Sequence, residues 1–83
     1  MHIHVKLFAI LKDFAKSSEL SLQVPEGSTV GRAKEALLVV EPELRPWIAR
    51  CAVAVNRAYM ANETVLRDGD ELALIPPVSG GSR

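Results

Sequence analysis

Ser28-Thr29-Val30-Gly31-Arg32-Ala33-Lys34-Glu35-Ala36-Leu37-Leu38-Val39-Val40 is the stretch on which the fold turns. Val30, Ala33, Leu37 and Val40 recur at three- and four-residue intervals and build one apolar stripe along a helix, with the hydroxyls of Ser28 and Thr29 placed to cap its start. Gly31 in the first turn costs up to about 1 kcal/mol against alanine, so the helix is better marked than its first residue. Pro42 and Pro46 mark its end. No other stretch offers a convincing second long helix.

Strand patterns flank this helix on both sides. Leu20, Leu22 and Val24 alternate with Ser21 and Gln23 until Pro25-Glu26-Gly27 breaks the pattern. Further back, His2 to Phe8 alternates with Ile3, Val5 and Leu7 on one face and His2, His4, Lys6 and Phe8 on the other. Ile10 to Lys16 has room for about two helical turns between them, and the two strands are expected to pair as a hairpin. Beyond the helix, Glu43 to Arg50 reads as a short helical turn or loop in which Leu44, Trp47 and Ile48 cover one end of the core. Cys51, Val53 and Val55 then alternate with Ala52, Ala54 and Asn56 as a third strand whose small residues predict close packing. Asn56-Arg57-Ala58-Tyr59 is a turn into a short irregular edge, Asp68-Gly69-Asp70 a turn with glycine free to take positive φ, and Glu71 to Ile75 a last strand stopped by Pro76.

The order strand, strand, helix, strand, strand predicts an α+β chain, a mixed sheet with one main helix packed across it. A ferredoxin-like sandwich would require a second long helix; a β-grasp arrangement does not. The expected organisation is a β-grasp domain over residues 1–77 and a flexible C-terminal tail over residues 78–83.

Composition narrows the class of function. At 83 residues, 48% hydrophobic and 24% charged, the chain has the makings of one core and no second. Ten basic residues cancel ten acidic ones, and no stretch interleaves Lys and Arg with aromatics, which argues against nucleic acid as a partner. No apolar run approaches a membrane span and Met1 leads straight into a strand pattern, so no membrane association and a cytoplasmic location are expected. Cys51 is the single cysteine and forms no internal disulfide or metal site by itself. Its alternation with Val53 and Val55 makes it a buried structural thiol. His2 and His4 share a strand face, but two ligands are too few for a metal, and none is expected. No serine, histidine and acid combination stands at a recognisable spacing; Lys12, Lys16, Arg32, Lys34 and Glu35 read as solvated charges.

The C-terminal stretch Pro76-Pro77-Val78-Ser79-Gly80-Gly81 carries the chemistry. A stiff diproline followed by two residues without side chains makes an arm that projects from a domain and a thread slim enough for a narrow channel. Taken with Ala54-Val55-Asn56 and Leu66-Arg67-Asp68-Gly69-Asp70-Glu71-Leu72, in that order along the chain, this stretch resembles the small, sulfur-carrier subunits of molybdopterin synthase, the MoaD family. The resemblance spans nearly the whole chain and is most specific in its last third. It implies a ubiquitin-like β-grasp fold and a protruding Gly-Gly tail. It further implies that an adenylating, E1-like activating enzyme uses ATP to convert the Gly81 carboxylate to an acyl adenylate. Sulfur from a sulfurtransferase then displaces AMP to leave a thiocarboxylate. The larger, catalytic subunit would take that sulfur to build the dithiolene on cyclic pyranopterin monophosphate in molybdenum cofactor biosynthesis. In that scheme the small chain is not catalytic alone and binds no cofactor, and two small and two large subunits form a heterotetramer.

Residue roles follow from the resemblance. Gly81 carries the sulfur, Gly80 keeps the thread thin, Val78 and Ser79 line the channel entrance, and Pro76-Pro77 hold the tail clear of the sheet. Phe8 on the polar side of the first strand, Ile75 opposite Leu72 and Leu74, and Tyr59 in the edge segment are apolar groups without an assigned core place. The family positions they match form a hydrophobic patch that meets both the large subunit and the activating enzyme.

The sequence departs from the family at its end, where Ser82-Arg83 follows the glycine pair. A peptidase that removes the two residues, a fused or altered chain, and a homologue that does not form a thiocarboxylate are the three explanations. Two rival functions stay open: a sulfur carrier for another pathway, thiamine or cysteine synthesis, and a ubiquitin-like protein modifier joined through Gly81 to lysines.

Overall fold

A computed structural model describes residues 1–77. Five strands form one sheet in the order β2-β1-β5-β3-β4, with β1 His2–Leu7, β2 Glu19–Gln23, β3 Ala52–Val55, β4 Ala58–Tyr59 and β5 Glu71–Ile75. The centre is a parallel pair, β1 beside β5, and the other three pairings are antiparallel. Helix α1 (Ile10–Ala15) links β1 to β2, and α2 (Val30–Val40) is the expected main helix. A 3-10 turn, Pro42–Leu44, and α3 (Arg45–Ile48) follow it. The mixed sheet with one long helix across it is the ubiquitin-like β-grasp.

The register explains the core. Ile3 lies opposite Leu22, Val5 opposite Leu20 and Leu72, and Leu7 opposite Leu74, while Val53 and Val55 face Leu74 and Leu72. Residues paired across a sheet share a face, so these alternating apolar positions make one continuous apolar surface. Val30, Ala33 and Leu37 of α2 pack into the same buried cluster, and Leu11, Leu44 and Ile48 join it. Leu44 and Ile48 are thus where the sequence places them, and Trp47 is partly buried beside them, tilted against Phe14 at 6.0 Å between ring centroids.

The N-terminal end of α2 is satisfied. Thr29 Oγ1 accepts from the Arg32 amide (3.2 Å), the expected N-cap. The other free amides of the first turn meet the backbone of the long loop before β5: Val30 N donates to Thr64 O (2.9 Å) and Gly31 N to Asn62 O (3.0 Å). That loop is strapped down further by Leu66 N donating to Ser28 O (2.8 Å) and by the buried Leu66 side chain.

Boundaries shift slightly from expectation. β1 stops at Leu7 because Ala9 takes φ 51° and ψ −126°, which turns the chain sharply into α1 and leaves Phe8 outside the ladder. The small residues of β3 divide: Ala54 is buried, Ala52 exposed, so close packing holds at one of the two positions.

Leu37 is fully buried where the helix meets the sheet. Leu37→Ala should lower stability by about 2–5 kcal/mol, read as a reduced urea midpoint with unchanged m-value.

Candidate functional site

The face of the sheet turned away from α2 carries the site. Its rows are set by register: Lys6 beside Ala73, Ala73 beside Ala54, and Ala54 beside Tyr59. In the next row Ile75 lies opposite Ala52, and Phe8 follows Leu7, which pairs with Leu74. The two alanines are short, so the sheet is low between the larger side chains, and a depression of about 300 Å3 forms there. Phe8, Tyr59 and Ile75 all line it, together with Lys6, Ala54, Arg57, Glu71 and Ala73. The three apolar residues singled out in the sequence therefore meet at one place. Phe8 is 45% and Tyr59 74% exposed. Ile75, expected to be exposed as well, is half-buried because it sits within a paired strand with Ala52 opposite.

The polar part of the lining has its own order. Lys6 Nζ stands 3.6 Å from Glu71 Oε1, a partly solvated pair that contributes well under about 1 kcal/mol. Arg57 is the second residue of a two-residue hairpin turn between Val55 and Ala58, in which both Asn56 (φ 50°) and Arg57 (φ 73°) are left-handed. Such a type I′ turn matches the twist of the strands it joins. Asn56 suits it: its Nδ2 donates to Asp70 Oδ1 (2.9 Å), and its Oδ1 accepts from the Glu71 amide (3.0 Å). Among the described residues the Arg57 side chain makes no such bond, and its left-handed φ costs the turn about 1 kcal/mol relative to glycine.

The Asp68-Gly69-Asp70 turn holds the frame of this face. Asp68 Oδ1 accepts from the His2 amide (2.7 Å), Gly69 N donates to His2 O (2.7 Å), and His4 N donates to Asp70 O (2.9 Å). Asp70 Oδ2 also accepts from Arg67 N (2.8 Å). Gly69 has φ 86°, a conformation that L side chains adopt only with strain. These bonds lock the start of β5 against β1 and, through Asn56, against the β3–β4 turn.

Because β1 and β5 run parallel with Leu7 opposite Leu74, the chain leaves the sheet at Pro76 on the same end as Phe8. Pro76 is half-buried and Pro77 exposed. Val78, Ser79, Gly80 and Gly81, with Ser82 and Arg83, lie outside the described residues.

A family model, the ThiS family, matches residues 5–81. The chain belongs to the ThiS family. A relative from Arabidopsis thaliana, described as a molybdopterin synthase sulfur carrier subunit, is 33% identical over 81 residues, covering 98% of this chain and 84% of its own. Among solved structures, the crystal structure of SAMP1 from Haloferax volcanii matches with a TM-score of 0.88 at 36% identity, covering 98% of this chain and all of that one. A chain in the protein-protein complex of subunits 1 and 2 of the molybdopterin-converting factor from Helicobacter pylori matches with a TM-score of 0.71 at 29% identity, over 98% of this chain.

Other features of this ThiS-family chain offer less chemistry. A larger groove of about 500 Å3 runs between the Gln23–Thr29 segment and α2, on the helix side of the sheet. Its charged lining residues are Glu26, Arg32 and Glu35, and the hydroxyls of Ser28 and Thr29 are engaged with Pro25 O and the Arg32 amide. His2 and His4 are both exposed, and among the described residues no three of His, Cys, Asp and Glu gather as a metal site would require. Lys6, Arg57 and Glu71 of the depression were not singled out in the sequence. Alternation does put Lys6 on the face of Phe8 and Glu71 on that of Ile75, but only pairing brings the two strands side by side.

Cys51 is buried and its Sγ donates to Trp47 O at 3.3 Å. Burial raises the thiol pKa above its ordinary value, and Lys34 opposes that only in part. The thiol is therefore held neutral, as a core residue rather than a nucleophile. A folded-state pKa above the unfolded value means that this contribution to stability is complete below the unfolded thiol pKa and is lost as pH rises through the raised one. Iodoacetamide at pH 8 should label Cys51 at least about tenfold more slowly in the folded chain than in urea; equal rates would show an accessible thiolate.

Proposed function

We propose that this chain is the sulfur-carrier subunit of a molybdopterin synthase and delivers sulfur as a Gly81 thiocarboxylate. One observation carries the proposal: Phe8, Tyr59 and Ile75 line a single depression at the end of the sheet where the chain leaves β5 toward its glycine pair. Full-length similarity to a relative described as a molybdopterin synthase sulfur carrier subunit, and to one chain of a two-subunit converting factor, supports the reading.

The division of labour follows from chemistry. A carboxylate resists substitution because an oxide is a poor leaving group, so an activating enzyme joins the Gly81 carboxylate to AMP from ATP and releases pyrophosphate. Sulfur at the hydrosulfide level, from a sulfurtransferase, then displaces AMP. The thiocarboxylate is anionic and nucleophilic at sulfur, and it attacks the pterin precursor inside the large subunit. In this scheme the depression docks against that subunit by burying its apolar lining, and Pro76-Pro77 limit the freedom lost when the tail threads in. The chain binds no cofactor of its own; ATP belongs to the activating enzyme. Gly81 must become terminal for this chemistry, so a peptidase that removes Ser82-Arg83 belongs to the scheme. No helix among the described residues is long and apolar enough to cross a membrane, and we place the reaction in the cytoplasm.

A second reading is favoured by one finding. The structure of SAMP1 matches closely, and a relative from Haloferax volcanii, described as small archaeal modifier protein 1, is 37% identical over 84 residues. A ubiquitin-like modifier would use the same activated Gly81, with a lysine amine instead of sulfur as the attacking group.

Phe8→Asp combined with Ile75→Asp should weaken calorimetric affinity for the large subunit by at least about a hundredfold while leaving the circular dichroism spectrum unchanged; unaltered affinity would remove the depression from the interface. A chain ending at Gly81, incubated with activating enzyme, ATP and a sulfur donor, should gain the mass difference of sulfur for oxygen. Given the large subunit and cyclic pyranopterin monophosphate, it should then yield dithiolene product, and a chain lacking Gly81 should yield none. Covalent ladders on other proteins without dithiolene formation would favour the modifier.

A further inference from the structure

We infer that Arg57 is a specificity-determining contact of the docking depression, its guanidinium meeting a carboxylate on the large subunit that receives the tail. The inference rests on the functional reading above and adds a charge requirement to an interface otherwise described by apolar residues.

Position, conformation and charge point the same way. Arg57 is exposed and lines the depression near Tyr59, at the Glu71 end of β5 and across the hollow from Ile75. It holds a left-handed φ of 73° in a turn where glycine would sit without steric cost. Asn56, the other left-handed residue of the turn, makes two side-chain hydrogen bonds there. Among the described residues the Arg57 side chain has neither a hydrogen bond nor an ion pair to offset its strain. Local backbone strain without local compensation is characteristic of positions held for contacts made elsewhere. The other cation of the lining, Lys6, already stands 3.6 Å from Glu71, so Arg57 is the uncommitted positive charge at the rim.

The chemistry selects the partner group. A guanidinium beside an apolar depression is suited to a bidentate carboxylate, whose hydrogen bonds strengthen as docking expels water. The matching surface therefore carries an apolar projection, which fills the space above Ala54 and Ala73, and an Asp or Glu next to it, above the β3–β4 turn. A lysine or arginine at that place on a competing protein would be repelled, which is how a rim charge separates right partners from wrong ones.

The test compares Arg57→Gly and Arg57→Glu with the unaltered chain in calorimetric binding to the large subunit, at low and at high salt. Arg57→Gly relieves the left-handed strain, so its Tm should equal or exceed that of the unaltered chain, and its affinity at low salt should nonetheless fall about tenfold. Arg57→Glu keeps the strain and reverses the charge; its affinity should fall further, and the gap should shrink at high salt. Affinities within about twofold for both variants at low salt, or equal losses at both salt concentrations, would overturn the inference and leave the functional reading standing. All three chains are compared in the form ending at Gly81, and failure of that form to bind with Arg57 intact would defeat both.

Discussion

The parallel pairing of β1 with β5 is the constraint on which the rest depends. It joins the first strand of the chain to the last described one, and parallel neighbours require a crossover connection rather than a tight turn. Everything between Leu7 and Glu71 is that crossover: the β2 hairpin partner, α2, the 3-10 and α3 turns, and the β3–β4 hairpin. Val5 against Leu72 and Leu7 against Leu74 bring four buried side chains to the centre of the core. Because the two strands run in the same direction, their C-terminal ends coincide, and Phe8 emerges where Pro76 leaves.

This pairing is held by polar groups as well as apolar ones. The Asp68 carboxylate and the backbone of Gly69 and Asp70 bind the edge of β1, the Asp70 carboxylate closes the turn on the Arg67 amide, and Asn56 couples Asp70 and the start of β5 to the next hairpin. The Asp-Gly-Asp stretch that marks the family in sequence is thus a register lock. A slip of one residue would turn Leu72 and Leu74 to the outer face and bring Ala73 and Ile75 to the inner face in their place. It would destroy the core and the outer depression together, since both are read from the same alternation.

The two faces of the sheet divide the work. The inner face, with Ile3, Val5, Leu22, Val53, Leu72 and Leu74, secures stability against α2. The outer face uses small residues at its centre, Ala54 and Ala73, to leave a shallow hollow that larger groups surround. The Lys6–Glu71 ion pair on it is partly solvated, so the hollow's shape rests mainly on the strand register and side-chain size.

Much of this was legible in the chain. Spacing of Val30, Ala33, Leu37 and Val40 marked the helix, though Val40, its last residue, is exposed and only the first three are buried; alternation marked β1, β2, β3 and β5, and Thr29 marked the cap, because these signals depend on neighbours a few residues away. Phe8, Tyr59 and Ile75 were identifiable as apolar residues out of place. Their convergence was not, nor the Lys6–Glu71 pair, since both arise from strand order over long sequence distances. The left-handed Arg57 was equally hidden, because Asn-Arg carries a weaker turn signal than Asn-Gly. The sequence by itself determined the elements and the core side of each, both properties of local pattern. Only the tertiary structure decided that β5 inserts between β1 and β3, because that choice depends on which apolar faces can be covered at once by a single helix.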